Sequence, residues 1–171
     1  MIAGGLLDNA GIVSLRKVFA FARDVGSELV VFCHAATRID VSDKDIREFA
    51  QILSALGNEA REFGLKLSLH HHYNQPVMHR HDFDTFFGAV TDNAVGLTVD
   101  TAHLVISGIE DVAGIIRDFR HVIDNFHLKD FADGTFRVLG KGEIDFASVF
   151  DAISAIEYDG WVSADEESGS G

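Results

Sequence analysis

Short apolar runs alternate along the chain with segments whose apolar residues recur at helical spacing, and this alternation limits the fold more than any other feature. Each run is only a few residues long, as expected for strands that are buried on both faces of a parallel sheet. The predicted strands are residues 29–33, 65–72, 95–100, 123–129 and 161–165. Regular alternation of strands and helices indicates an α/β fold.

The segments between these runs are predicted helices. Ser42 and Asp45 have the spacing of a capping box, and Gly64 marks the end of the helix that they begin. The other predicted helices cover residues 15–22, 82–90, 110–119 and 146–156. The tail, residues 166–171, has no helical periodicity and is predicted to be irregular.

Two architectures satisfy this alternation, a doubly wound sheet and a (β/α)8 barrel of the TIM type. A closed barrel has eight strands, and the chain supplies about five. As a barrel, residues 1–171 would form a single domain, a partial TIM barrel that corresponds to roughly strands 4 to 8. About three strand–helix units would then precede Met1, and a final helix would follow Gly171.

Charge and cysteine content disfavour several classes of protein. The formal net charge is −13, from 27 acidic and 14 basic residues, and a field of this sign repels nucleic acids and anionic membranes. No apolar run is long enough to span a membrane, and the first residues lack the features of a signal peptide. Cys33 is the only cysteine, which excludes an intrachain disulfide. We therefore expect a cytoplasmic protein.

Every predicted strand ends in side chains that can bind a metal or transfer a proton. In chain order these are His34, His70, His71, His72, Asp100, His103, His127, Lys129, Asp165 and Glu167. Active sites of parallel α/β folds lie at this edge of the sheet. Because side chains alternate along a strand, His70 and His72 are predicted to share one face and His71 the other. Imidazoles with carboxylates suit a divalent transition ion, although capped loop residues without a metal would give the same pattern.

Four motifs in the second half of the chain resemble those of the xylose isomerase-like sugar phosphate isomerase/epimerase superfamily. They are GLTVDTAH at residues 96–103, FHLKD at 126–130, LGKGEIDF at 139–146 and YDGW at 158–161. The motifs follow the family's order and approximate spacing, and the resemblance covers about residues 60–167, the C-terminal part of such a barrel. A TIM barrel enzyme is therefore the fold that the resemblance implies.

The resemblance implies one divalent ion held by Glu, Asp, His and Glu from the last four strands. Asp100 and His127 match the central Asp and His, whereas Asp165 stands at the last Glu position with Glu167 as the alternative. His70 stands where the first Glu is expected. An imidazole in that position makes the donor set softer, which favours Mn, Co, Zn or Fe over Mg.

In such a site the metal polarises a carbonyl and acidifies the neighbouring C–H bond. The resemblance assigns proton transfer to Asp165 or Glu167, while His70 or His72 could replace the missing carboxylate as a base.

Four further assignments complete the predicted site. His103 matches a histidine that contacts substrate, and the strand-end position of His34 makes it a second substrate-contact candidate. Lys129 could stabilise an enolate or neutralise a substrate phosphate, or instead form an ion pair with Asp130. The Gly140–Gly142 segment is interpreted as a loop before the next helix, with phosphate binding as the alternative.

These observations leave four hypotheses for function. The first is a metal-dependent isomerase or epimerase of small sugars or sugar phosphates, and the second is a lyase that resembles inosose dehydratase. The third is a hydrolase similar to endonuclease IV, which the acidic charge disfavours. The fourth is a non-catalytic fragment, because an open sheet has unpaired edges. The expected partner is a small sugar, keto-polyol or sugar phosphate, with no nucleic acid or membrane, and a homo-oligomer stays open.

Overall fold

The computed structural model describes residues 1–168, so the last three residues of the predicted tail, 169–171, lie outside the described part. The elements, in chain order, are β1 (Ile2–Gly5), α1 (Asn9–Asp24), β2 (Leu29–His34), α2 (Asp43–Glu62), β3 (Lys66–His70), α3 (Arg80–Ala89), β4 (Gly96–Asp100), α4 (Thr101–Ile106), α5 (Val112–Asp118), β5 (Ile123–Leu128), β6 (Asp130–Ala132), β7 (Thr135–Arg137), α6 (Phe146–Ala155) and β8 (Trp161–Ala164).

Within residues 1–168, six strands form one sheet in the order β1-β2-β3-β4-β5-β8, and every neighbouring pair is parallel. Each strand of this sheet therefore lies beside the next one along the chain, without the reversal of order that defines a doubly wound sheet. This is the strand order of a TIM barrel, and the predicted fold class is confirmed. The predicted strand count of about five was one short, because β1 was not recognised.

The longest helix shows how the sequence places the layer outside the sheet. α2 begins at the predicted capping box: the Asp45 carboxylate accepts the Ser42 N–H at 2.9 Å, and the Ser42 hydroxyl accepts the Asp45 N–H. Its buried face is apolar and includes Ile46, Phe49 and Leu53. Burial of each such side chain stabilises the fold by about 1.5–3 kcal/mol, so packing against the sheet fixes the helix.

The last strand of the sheet is held by the YDGW motif. The Tyr158 hydroxyl lies 2.9 Å from the backbone carbonyls of both Asp124 in β5 and Trp161 in β8, and it can donate to either. Partial burial raises the pKa of Tyr158 to about 12, so the hydroxyl keeps its proton. The motif therefore has a structural role at the base of the sheet. Among the described residues, no helix is both long and apolar enough to cross a membrane.

A two-stranded antiparallel hairpin, β6–β7, follows β5 and was not predicted. Its turn is Asp133–Gly134, with φ values of 52° and 74°. Positive φ at both central residues is the requirement of a type I′ turn, for which Asp-Gly is a preferred sequence. The hairpin places the residues after the FHLKD motif beside the carboxyl edge of the sheet.

Candidate functional site

Three side chains from neighbouring strands meet at the carboxyl edge of the sheet. They are His70 at the end of β3, Asp100 at the end of β4 and His127 in β5, and one ligand atom of each lies within 4.8 Å of the others. Their exposed fractions are 6%, 0% and 4%. β4 lies between β3 and β5: Asp100 is the register partner of His127, and His70 is the partner of Thr98, two residues before Asp100.

The cluster contains polar atoms that lack hydrogen-bond partners among the described residues. These atoms are Asp100 Oδ2, His70 Nδ1 and His127 Nδ1. Asp100 Oδ2 has charged neighbours at ion-pair distance, His70 Nε2 at 3.4 Å and Lys129 Nζ at 3.5 Å. Buried polar groups without partners cost free energy, so their concentration here needs a reason. A divalent cation fits, since two imidazoles and a carboxylate are common ligands of Zn²⁺ and similar ions.

The charges of these buried groups shift one another's pKa values. Burial lowers the pKa of His70, but its contacts with Asp100 and Cys33 together outweigh burial and raise the pKa to about 9. Burial alone would raise the pKa of Asp100, yet the neighbouring His70, His103 and Lys129 hold it well below its usual range. For His127 burial dominates and lowers the pKa. Asp100 is therefore a carboxylate over the ordinary pH range.

Lys129 is almost fully buried beside the cluster and contacts three carboxylates. Its Nζ lies 2.9 Å from Asp165, 3.2 Å from Glu167 and 3.5 Å from Asp100. Burial lowers the pKa of Lys129, but the carboxylates more than compensate and raise it. The alternative ion pair between Lys129 and Asp130 is wrong, because Asp130 uses its carboxylate elsewhere.

Asp130 organises the loop that follows the hairpin. Its Oδ2 accepts the N–H groups of Gly140 and Gly142 at 2.9 and 2.8 Å. Its Oδ1 accepts those of Phe131 and Ile144 at 2.8 and 3.3 Å. The glycine N–H groups that could have bound a substrate phosphate are thus occupied by a carboxylate of the same chain. The structure matches the interpretation of this segment as a loop before the next helix, α6.

Two further histidines stand next to the cluster. The rings of His72 and His103 lie 3.7 Å apart, and His103 is 2% exposed with no partner for either ring nitrogen among the described residues. Burial lowers the pKa of His103 to about 3, so its imidazole is neutral. The backbone N–H of His103 donates to Asp100 Oδ1 at 3.0 Å, which orients that carboxylate.

The predicted alternation along the third strand agrees with the structure. His71 turns away from His72: its Nε2 accepts the backbone N–H of Asp100 at 3.0 Å, and its ring packs against Phe83 of α3. His70 stays on the side of the cluster, 5.0 Å from the ring of His127. The strand itself ends at His70, so His71 and His72 begin the following loop.

His34, predicted to contact substrate, lies apart from this group. Its Nδ1 accepts the N–H of Ala36 at 2.9 Å, and its ring packs edge-on against Phe49 of α2. The preceding residue, Cys33, faces the site instead, since alternation puts the two on opposite faces of β2. Cys33 is the register partner of His70 and hydrogen-bonds with Gln75. The alternation of side chains along β2 would have identified Cys33 as a residue of the site.

The remaining predicted residues share one cleft of about 210 Å³. The cleft is lined by Ile2, Cys33, His70, His72, His103, His127, Lys129, Asp165 and Glu167. Asp100 lies behind them at the metal cluster. The structure therefore brings together every predicted site residue except His34.

Comparison with known proteins agrees with this geometry. Over residues 7–170, the chain matches the family described as xylose isomerase-like TIM barrel. The inosose dehydratase of Lacticaseibacillus casei is 31% identical over 145 residues, a match that covers 74% of this chain and 48% of the relative. The chain thus spans about half the length of the curated relatives it matches.

Two solved structures have the same fold. An L-ribulose 3-epimerase superposes with a TM-score of 0.82 at 24% identity, over 98% of this chain and 62% of the epimerase chain. The IOLI protein, crystallised with a binding zinc atom, gives a TM-score of 0.81 at 18% identity, over 96% of this chain and 66% of that protein.

Proposed function

The chain belongs to the xylose isomerase-like TIM barrel family, and from this premise we propose that it carries the metal centre of an enzyme for small polyhydroxylated ketones. The reaction begins with removal of a proton beside the carbonyl group. The observation that carries this proposal is the buried cluster of His70, Asp100 and His127, whose ligand atoms converge. Each of the three has a side-chain atom without a hydrogen-bond partner among residues 1–168.

His70, Asp100 and His127 would hold the ion, with Asp165 next to them as the candidate fourth ligand. The donor set of two imidazoles and one or two carboxylates favours Mn, Co, Zn or Fe over Mg. Such an ion supplies Lewis acidity, which polarises a carbonyl oxygen and acidifies the adjacent C–H bond. Asp165 Oδ2 lies 3.7 Å from His127 Nδ1, close enough to join the same coordination sphere.

Asp165 and Glu167 are the proposed proton acceptors. Both line the cleft, and both contact the ammonium group of Lys129. The ion pairs with Lys129 hold both carboxylates at the cleft, where one of them can accept the proton. Lys129 also places positive charge where an enolate develops, which stabilises that charge in a site largely shielded from water.

A dehydratase is the first candidate for the complete reaction. Epimerases of this type need two bases, one for each face of the reacting carbon. Here His70 stands where the family has a glutamate, and His103, with a pKa of about 3, is a poor base. A site whose carboxylates lie together favours dehydration instead: the abstracted proton passes from the carboxylate to a neighbouring hydroxyl group, and this group leaves as water while the C=C bond forms. The 31% identity to inosose dehydratases supports the same choice.

An isomerase or epimerase is the second candidate. The observation in its favour is that His72 lines the same cleft as Asp165 and Glu167, so a second kind of base is present. Proton removal is common to both reactions, and only the fate of the enolate differs.

The charges of the cleft favour a substrate without a phosphate group. Of the residues that line the cleft within positions 1–168, Lys129 is the only lysine or arginine, and three carboxylates surround it. The N–H groups of Gly140 and Gly142 are bonded to Asp130. We therefore propose an uncharged keto-polyol as the substrate class.

The test starts with metal content and continues with the reaction. Elemental analysis of the purified chain should give about one Mn, Co, Zn or Fe ion per molecule, lost in His127→Gln and retained in His34→Gln. His34 is the matched control because it also ends a strand but faces α2. A folded wild-type protein that binds none of these ions at micromolar concentration would refute the proposal.

Incubation of the metal-loaded protein with keto-inositols and ketoses in deuterated water separates the two candidates. A dehydratase releases water and forms a conjugated product that absorbs ultraviolet light. An isomerase or epimerase places deuterium on carbon and keeps every hydroxyl group. Deuterium incorporation without loss of water would overturn the choice of dehydratase.

A further inference from the structure

One aromatic side chain of the hairpin lies behind the polar wall of the cleft. The ring centroid of Phe136, in β7, is 5.2 Å from Lys129 Nζ. The same ring is 5.8 Å from the ring of His103, at an interplanar angle of 86°. Phe136 therefore touches two groups of the proposed site at once, although it does not itself line the cleft.

The hairpin that carries Phe136 is fixed at both ends. Phe131 pairs with Phe136 across the two strands, and the rings are 6.0 Å apart. Asp130 at the start of the hairpin is bonded to four backbone N–H groups, and the Phe131 carbonyl accepts the N–H of Glu143 at 3.0 Å. A side chain on such a support has a defined position.

The backbone of Lys129 is fixed as well, but its side chain is long. The Thr101 hydroxyl donates to the Lys129 carbonyl at 2.6 Å and accepts the Lys129 N–H at 2.9 Å. Beyond the backbone, four methylene groups separate the ammonium group from Cα, and each bond of this stem can rotate. Contacts at the tip must therefore determine where the charge lies.

We propose that Phe136 is a positioning residue that holds the Lys129 ammonium group and the His103 ring in the places from which they meet the substrate. The inference rests on the proposed function for its catalytic consequence, but the positions themselves can be measured without turnover.

The physical basis is the shape and charge distribution of the aromatic ring. The face of a phenyl ring carries negative partial charge and attracts an ammonium group, most strongly when water is excluded. Lys129 is 2% exposed, so its charge is largely removed from water. The carboxylates of Asp100, Asp165 and Glu167 and the Phe136 ring together enclose the charge.

His103 gains its orientation from ring contacts rather than from side-chain hydrogen bonds. Neither of its ring nitrogens has a partner among residues 1–168, whereas its ring contacts His72 on one side and the edge-on Phe136 on the other. Aromatic pairs of this geometry contribute beyond the area they bury. The free nitrogens of His103 therefore remain available to hydroxyl groups of a substrate.

The experiment compares three variants of the whole chain. Phe136→Leu removes the ring and keeps an apolar side chain, Phe136→Tyr keeps the ring, and Phe131→Leu removes the neighbouring ring that does not touch Lys129 or His103. Nitrogen-15 NMR reports the Lys129 ammonium protons, assigned with Lys129→Arg, and the imidazole nitrogens of His103. Cobalt titration measures metal affinity in each protein.

In wild type, the ring should shift the Lys129 ammonium protons upfield. Phe136→Leu should abolish this shift and broaden the His103 signals, while Phe136→Tyr restores both and Phe131→Leu preserves both. Metal affinity should fall far less in these variants than in His127→Gln, because the ligands themselves are untouched. With an established substrate, Phe136→Leu should lower kcat about tenfold or more at nearly constant KM, as expected for misplaced catalytic groups.

Unchanged Lys129 and His103 signals in Phe136→Leu would overturn the inference, and so would equal changes in Phe131→Leu, since these would indicate a general loosening of the hairpin. Failure of the proposed function has a different signature. In that case the wild type binds no metal, while the NMR differences between the variants still report whether Phe136 positions the two groups.

Discussion

Asp100 and Asp130 are both almost fully buried carboxylates near strand ends, yet their surroundings differ in kind. Asp130 accepts four backbone N–H groups with its two oxygens. Asp100 accepts one N–H with Oδ1, while its Oδ2 has no hydrogen-bond partner among the described residues. The hairpin region thus uses its carboxylate to build a loop, whereas the sheet edge keeps a carboxylate oxygen free.

Burial does not distinguish these two carboxylates, whereas the number of hydrogen bonds that each accepts does. A carboxylate whose lone pairs are all used by backbone groups stabilises the fold and has little capacity left for a ligand. A carboxylate that is equally buried but incompletely bonded costs stability, and a ligand that binds there recovers this cost. The contrast leads to quantitative expectations for the two regions.

The largest effect is expected for Asp100→Asn. The amide keeps the size of the side chain and can still accept the N–H of His103, but it removes the negative charge from the metal cluster. Cobalt or zinc affinity should fall more than about a hundredfold, beyond the range for residues that only support a ligand. The metal-free protein should also lose stability at neutral pH, because Asp100 is the buried partner of both protonated His70 and Lys129. Isothermal titration and urea unfolding measure the two quantities, and unaltered metal affinity would break the contrast.

Asp130→Asn should lower stability and leave metal affinity intact. Its amide nitrogen cannot accept hydrogen bonds, so at least the pair of N–H groups from Gly140 and Gly142, or the pair from Phe131 and Ile144, loses its acceptor. We expect a loss of about 2–4 kcal/mol in the free energy of unfolding, from urea titration, with metal affinity within about threefold. A metal affinity reduced as far as in Asp100→Asn would contradict the structural role of Asp130.

Metal affinity should depend on pH through His70. Its pKa of about 9 in the metal-free protein means that the imidazole is protonated at neutral pH, and binding must displace this proton. Apparent affinity should therefore rise about tenfold per pH unit up to about pH 9 and level off above it. Titration from pH 6.5 to 10 checks the slope, with His70→Gln as the variant that should lose it. A flat profile would remove His70 from the ligand set.

The smallest effect concerns His103 and acid stability. Its pKa is about 3 in the folded protein, so protons bind more readily to the unfolded chain as pH falls below about 6.5. Stability should be at its full value above pH 6.5 and fall by about 1 kcal/mol in the first pH unit below. His70, whose pKa is raised in the folded protein, does not mask this decline. Its contribution to the free energy of unfolding has reached its full value below pH 6.5 and stays constant there. Urea unfolding should give a shallower decline in His103→Gln, and equal slopes would exclude this origin.

The barrel class and most of the candidate site were predictable because parallel strands direct all their carboxyl ends to one edge. The alternation of side chains along a strand then predicted that His70 and His71 point to opposite faces, and this prediction needed no knowledge of the fold. Metal ligation and catalysis by these residues remain predictions, since proximity alone does not establish them. The sequence predicts which residues lie on strands. It does not predict which of their side-chain atoms lack hydrogen-bond partners.

Other features were missed for physical reasons that can be named. β1 has the sequence Ile-Ala-Gly-Gly, in which half the residues lack strand preference, and pairing with β2 rather than propensity makes it a strand. His34 was assigned to the site from its position at the end of β2, and the alternation of side chains along that strand was not applied to it. The hairpin had a signal in Asp133–Gly134, but its strands are only three residues long.

The bonds from Asp130 to the N–H groups of Gly140 and Gly142 also have a kinetic and evolutionary meaning. A free anion that approaches this loop competes with a carboxylate tethered to the same chain, whose effective concentration far exceeds that of most metabolites in solution. The Asp130 carboxylate therefore competes with any free anion for the N–H groups of this loop. A shift of this scaffold toward phosphorylated substrates would therefore begin with the loss of one aspartate rather than with the gain of a new cation.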